Sequence, residues 1–442
     1  MIRLRSSDHG IMNRVVSGGG VSLICFLLSG LILCVFLFNT VHKRDYREYA
    51  AAKDQRNHNL IQRWIDEGYF KQGGMLILPE KDAEGRTVVY SSSFFGFLQA
   101  GHLLERLNRW LRGTYSYRLM AWHNQAVVWL TSALLAWLAM RLALRMGVEP
   151  FSCLLLGIGC QFVHQTFGPN LWLVWNMTSQ AVLVLFVVLF LLFEEAGLDR
   201  TDISKYACFG RALAVFGMMY ATWMAGLLFL FSYFGTVTLL HPSRLRSQRL
   251  FWAVLVPMCL VFGIHVCQIL VVIHNFPDAR FVGGTFLYRS GLDGATNHFL
   301  SHMDILTNKR RSLPYLQWKV FLYAGTLVLF ALIPVFVKLR EGRIPVTIIL
   351  MLTGMYIPWA FVFSQSWSVH PHLYDVMLFP ALVLATFSVF PAFLERMGGN
   401  QRIIVLVTIG VAFCYSFVQL RDYAASFPLT IPEPDWKLYL PR

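Results

Sequence analysis

Charge is scarce in this sequence: only 14% of its 442 residues are charged, with 24 acidic against 38 basic. So little charge beside 56% apolar residues excludes an ordinary soluble multidomain protein. Asp and Glu are missing from the middle of every long apolar run. That argues against an ion-coupled transporter, which usually needs intramembrane carboxylates. Cys25, Cys34, Cys153, Cys160, Cys208, Cys259, Cys267 and Cys414 lie in or beside apolar runs without metal-type spacing. They are expected as small core residues, with no disulfide framework. No small-residue cleavage site follows the first run, which ends FNTVHKRD, so it is expected to be a retained anchor and not a signal peptide. The Asn176-Met177-Thr178 sequon falls inside an apolar run and is set aside.

What remains is a series of long uncharged runs, each of which must satisfy its own backbone as a helix in lipid. They fall near 20–40, 119–140, 149–166, 171–193, 206–222, 224–240, 250–273, 318–337, 344–363, 373–393 and 403–420. The expectation is an all-α polytopic membrane protein of about eleven transmembrane helices, a single membrane domain spanning residues 1–442. Segment 206–240 is too long for one crossing and is expected to turn near Ala225 and Gly226.

Basic residues in the short loops orient this arrangement. One side holds Arg3, Arg5, Arg14, Arg141, Arg145, Arg200, Lys205, Arg211, Arg244, Arg246, Arg249, Lys338, Arg340, Arg343, Arg396 and Arg402. The short loops around Gly168, Ala225 and Ser368 hold none. The amino terminus is therefore expected in the cytoplasm and the carboxyl terminus, residues 421–442, outside. The net charge of +14 then reflects topology and lipid contact, with no nucleic-acid partner.

The first outer loop, 42–118, opens with VHKRDYREYAAAK. Asp45 and Glu48 stand three residues apart where the chain leaves the hydrocarbon, a spacing that on a helix would turn both the same way. A carboxylate half desolvated there becomes a usable base or metal ligand near neutral pH. The plain alternative is that Lys43, Arg44 and Arg47 solvate a helix end and the two acids balance them. Further on, Tyr49, Leu60, Ile61, Trp64 and Ile65 have helical spacing, broken by Gly73, Gly74 and Pro79. TVVYSSSFFGF reads as extended or turn-like, with Ser91, Ser92 and Ser93 beside aromatics. A second amphipathic helix carries Leu98, Leu103, Leu104, Leu107 and Leu111 on its apolar side, a membrane-resting cap or a lid over a lipid head group.

The second outer loop, 274–319, contains Asp278, Arg280, Arg289, Asp293, His298, His302 and Asp304. His298 and His302 have metal-ligand spacing but lack a third ligand in register. Arg280 and Arg289 suit a phosphate, which guanidinium grips through two hydrogen bonds while keeping its charge. His164 and His265, the main ionisable residues at depth, read as hydrogen-bonded core histidines.

Together these features resemble the GT-C class of integral-membrane glycosyltransferases that use polyprenyl-phosphate sugars. In that class an essential acid opens the first outer loop, which carries membrane-parallel helices. Here Asp45, followed by Tyr49 and Ala50–Ala52, is similar to the family's acid-tyrosine-alanine pattern. HLYDVMLFP, with Tyr374 and Pro380, resembles its arginine-tyrosine stretch. Leu373 stands where an arginine is usual, with His372 adjacent. The resemblance implies an active site on the non-cytoplasmic side, a polyprenyl-phosphate sugar donor, and a lipid, glycan or protein acceptor.

The residues suit that chemistry on their own terms. A lipid-phosphate donor already carries a stabilised leaving group, so the reaction needs a base for the acceptor and positive charge on the phosphate. Asp45 supplies the base, with Glu48 in reserve. Arg44, Arg280, Arg289 or a divalent cation supplies the charge. A lipid-linked glycan polymerase or ligase, and a non-enzymatic transporter or flippase, are the competing readings. A bacterial inner membrane is the expected location.

Overall fold

Apolar runs become helices in the computed structural model, which describes residues 19–40, 61–90, 99–113, 118–172, 177–198, 204–282, 342–355, 379–395 and 399–400. They are α1 Gly19–Thr40, α2 Gln99–Arg112, α3 Arg118–Arg145, α4 Pro150–Trp172 and α5 Met177–Glu195. After them come α6 Lys205–Ala221, α7 Trp223–Leu240, α8 Gln248–Asn275, α9 Arg343–Thr353 and α10, residues 379–395. Within α3, α7 and α8, the segments Gln125–Arg145, Trp223–Leu240 and Gln248–Asn275 are long and apolar enough to cross a membrane. The expected spans at 318–337 and 403–420 lie outside the described residues.

Burial sorts these helices into layers. The apolar window of α3 is 67% buried and that of α8 only 17%, so α3 is central and α8 peripheral. One core, including Leu135, Leu138, Val184, Val188, Val215 and Phe229, joins α3, α5, α6 and α7. Three cysteines depart from expectation: Cys25, Cys259 and Cys267 are exposed, on the peripheral α1 and α8. A helix facing hydrocarbon keeps apolar residues on its outer side as well as its inner one.

Segment 206–240 divides as expected, but at Thr222, where φ is −156°. A Cβ placed on Gly226 would lie 3.2 Å from the Met219 Cα, residues about 10 Å apart on a straight helix. The chain therefore doubles back, and the absent side chain lets α7 start hard against the end of α6.

Three short strands correct the all-helical expectation. β1 Leu76–Lys81 and β2 Thr87–Tyr90 form an antiparallel hairpin, and β3 Arg280–Val282 adds parallel to β2. Val88, Val89 and Tyr90 favour a pleated surface, and Gly85 turns the hairpin at φ +76°. Pro79 lies within β1, in its irregular stretch between Ile77 and Lys81, where a missing N–H disturbs no regular ladder. Asp278 accepts from the Thr87 backbone N–H and hydroxyl, both at 3.0 Å. These bonds hold its carboxyl below the usual range. The two predicted outer loops thus share one sheet, at the end of the bundle where α8 finishes.

At the opposite end the basic residues meet two acids. Glu195 pairs with Arg141 and Arg145 of α3; Glu194 pairs with Arg211 of α6 and Arg244 of the α7–α8 turn. Arg211 and Arg244 are 1% exposed and Glu194 is fully buried. Arg211 is thus buried within α6 and paired with an acid, although the charge count placed it among the loop cations of that side. Its position after a Glu-Glu pair was a readable signal, though only the packing of α5 on α6 brings them together.

Candidate functional site

The loop layer meets the bundle along α8, and a groove of about 850 Å3 lies between them. On α8 it follows Trp252, Leu255, Val256, Cys259, Leu260, Gly263, Ile264, Cys267, Gln268 and Val271. Those residues cover about 28 Å of helix, close to the hydrocarbon thickness of a bilayer. Tyr69, Phe70 and Gly73 of the loop layer, with Tyr220 from the end of α6, contribute the rest of the lining.

Glycine makes the seam possible. At Gly73, φ +59°, a Cβ would come within 2.6 Å of the Gln268 carbonyl oxygen on α8. At Gly74, φ +65°, it would come within 2.5 Å of the Tyr69 hydroxyl. Only a residue without a side chain lets the loop lie this close while turning left-handed. Asn275 then donates to the Lys71 carbonyl at 3.1 Å and closes the joint.

Polar groups of the lining gather at the loop end. The Tyr69 hydroxyl is in hydrogen-bonding contact with Tyr220, Gln268 and Gln99. Burial pushes that phenol above its ordinary value, so it stays neutral. Behind it the His102 ring stacks on Tyr69, with centroids 4.8 Å apart and planes 24° apart, and Trp64 meets both rings edge-on. The Trp64 indole donates to the Met75 carbonyl at 3.1 Å.

His102 arrives from α2, whose sidedness is unusual. Its buried residues are Gly101, His102, Glu105 and Asn108, while Leu103, Leu107, Trp110 and Leu111 are exposed. The expected apolar stripe is therefore present, and it faces away from the protein. His102 is 4% exposed and its Nε2 is buried without a partner. Burial, then the Arg106 cation, lowers its pKa from an ordinary value of 6.5. Protonation is easier in the unfolded chain, so this stabilisation is intact above about 6.5 and fades as pH falls below it. Thermal melts should show the parent losing stability between pH 7.5 and 5.5, and His102→Gln should flatten that dependence.

Of the residues singled out by sequence, Arg280 is the one the structure describes among the phosphate and catalytic candidates. It sits in β3, with Nη1 3.4 Å from Asp82 and 3.5 Å from Glu84. Burial would raise the Asp82 pKa, but hydrogen bonds from Arg86 and Arg280 outweigh it and hold the carboxyl low. The six residues of β1 separate that hairpin end from the Gly74 seam, on the order of 20 Å of extended chain. Arg280 is thus engaged by carboxylates and not assembled with the groove. Arg44, Asp45, Glu48, Tyr49, Arg289, His298, His302, His372 and Tyr374 lie outside the described residues. Pro380 is in the first turn of α10.

Among the other histidines, His164 is buried, 2.7 Å from the Ser132 hydroxyl and stacked on Phe379. His265 is in hydrogen-bonding contact with Gln268. No group of three or more His, Cys, Asp or Glu is placed to hold a metal ion among the described residues. Sequence reading passed over Tyr69, His102, Tyr220 and Gln268. The available signals were a polar glutamine inside an apolar span and a histidine on the polar side of an amphipathic helix. No protein-family model and no curated protein matches the chain.

Proposed function

We propose that this chain is an integral-membrane glycosyltransferase of GT-C type. It moves a sugar from a polyprenyl-phosphate donor to a lipid, glycan or protein acceptor. In this reading about eleven helices cross a bacterial inner membrane, with the amino terminus cytoplasmic and the loop layer outside. Asp45 is the base, Glu48 supports it, and Arg44, Arg289 or a divalent cation faces the phosphate, with Tyr49, His372 and Tyr374 nearby.

The observation that carries the reading is the groove. It is nearly as long as a bilayer's hydrocarbon is thick, apolar along the outward side of α8, and polar only where the loops cover it. Such a shape suits a lipid-anchored substrate whose tail stays in hydrocarbon while its head reaches the loop layer. An ion-coupled transporter is less well supported. The buried acids Glu194 and Glu195 sit at the end of α5 and are paired with arginines.

Cys259 and Cys267 line the groove and report its occupancy. With the protein in nanodiscs, site-resolved thiol labelling should slow at both positions, severalfold, on adding a polyprenyl phosphate. Cys25, the other exposed cysteine among the described residues, should label unchanged. Equal labelling of Cys259 and Cys267 with and without the lipid removes the groove from the substrate path.

A further inference from the structure

The groove ends in a cluster with an unusual composition for a lipid-phosphate protein: every polar group in its lining is neutral. Tyr69, Tyr220 and Gln268 line it, with Gln99 and His102 immediately behind Tyr69. No Lys or Arg lines the groove among the described residues. An anion buried here would lack the charge-assisted partners that offset its desolvation. Phenol and carboxamide groups both donate and accept, as hydroxyl groups do, so they match a polyol instead.

The cluster is also held by contacts from several elements at once. Tyr69 touches Gly74 on one side, stacks on His102 on another and meets Trp64 edge-on. Its hydroxyl draws together residues from α2, α6 and α8. Arg109 of α2 pairs with Asp66 at 2.6 Å, a surface link between the helix that carries Gln99 and His102 and the helical segment just before Tyr69. Position fixed by several elements is what selective recognition of a hydroxyl pattern demands.

We propose that Tyr69, Tyr220 and Gln268 form the recognition site for an uncharged, hydroxyl-bearing glycosyl head group, with His102 as a positioning residue behind Tyr69. The hydrocarbon chain of the same ligand lies along α8. Identifying the head as glycosyl rests on the lipid-linked donor reading above. The phosphate is then gripped elsewhere, and this cluster selects the sugar.

The test uses the full chain in nanodiscs and three probes: farnesyl phosphate, farnesyl phosphoryl-glucose and decyl glucoside. The variants are Tyr220→Phe and Gln268→Met. Each should weaken both glucosyl probes about three- to tenfold, the range for one lost hydrogen bond. Farnesyl phosphate should bind within about twofold of parent, which also shows that the variants are folded. His102→Gln should weaken the glucosyl probes less than Tyr220→Phe does. Equal loss of all three probes, or loss of none, overturns the site, as does a parent chain that binds no probe. A parent that binds decyl glucoside with these losses but neither phosphate probe leaves the site standing and removes the polyprenyl-phosphate donor.

Discussion

Replacing Asp45 with Asn should cut sugar transfer by about two to four orders of magnitude, the usual worth of a positioned general base. Asp45 is acidic and lies within five residues of Thr40, where α1 ends. In the proposed reaction a lipid-anchored donor presents its reacting carbon there. Asparagine keeps the size and polarity and removes the basic oxygen. The thermal midpoint should barely move, because a carboxylate in a polar stretch outside the apolar runs contributes little to folding. A transfer assay on purified variants with a panel of polyprenyl-phosphate sugars decides it. Parent-like transfer by Asp45→Asn with an inactive Glu48→Gln would exchange their roles. Full activity in both would remove this loop from catalysis.

The second large effect concerns folding, at the other end of the bundle. Glu194→Gln should cost on the order of 3 to 5 kcal/mol, the range seen when one member of a buried pair is removed. Glu194 faces two guanidiniums, and Arg211 and Arg244 are both 1% exposed. Glutamine leaves both cations buried beside a neutral group. Space is also tight, since a Cβ on Gly197 would come within 2.8 Å of Arg211 Nη2 and 2.9 Å of Arg244 Nη2. The expected readout is a large drop in thermal midpoint and in yield of folded protein. Replacing Glu194, Arg211 and Arg244 together by apolar residues of similar volume should recover much of that loss, because no member of the cluster then leaves a buried charge without its partner. A Glu194→Gln chain as stable as parent would mean that the cluster is far more hydrated than its burial implies.

How far the sequence predicted this molecule depends on the range over which each feature is encoded. Helix runs are local: 20–40, 224–240 and 250–273 were read to within a few residues of α1, α7 and α8. The break at Thr222 was misplaced at Ala225 and Gly226 because its position depends on Gly226 meeting Met218 and Met219 across the turn. Three residues, Arg280 to Val282, show too little alternation to announce a strand, and their partner lies in another loop. The buried polar face of α2 was read only as the back of an apolar stripe. Which side faces the protein is decided by Tyr69 and Trp64, more than thirty residues earlier. Arg211 looked like a loop cation because a lone charge near a span end carries no sign of its future partner.

The shared sheet has a consequence for how the protein is made. Hairpin β1–β2 is synthesised early, but the strand that completes it follows about 190 residues later, after the seven helices α2 to α8. Until α8 has formed and β3 emerges, Val88, Val89 and Tyr90 lack the strand that pairs with them on that side. Contacts of such long sequence separation form slowly. The loop layer therefore cannot be completed before α8 has been made, and a chain arrested before Arg280 would lack the third strand of this sheet, a form that proteases could distinguish from the finished protein.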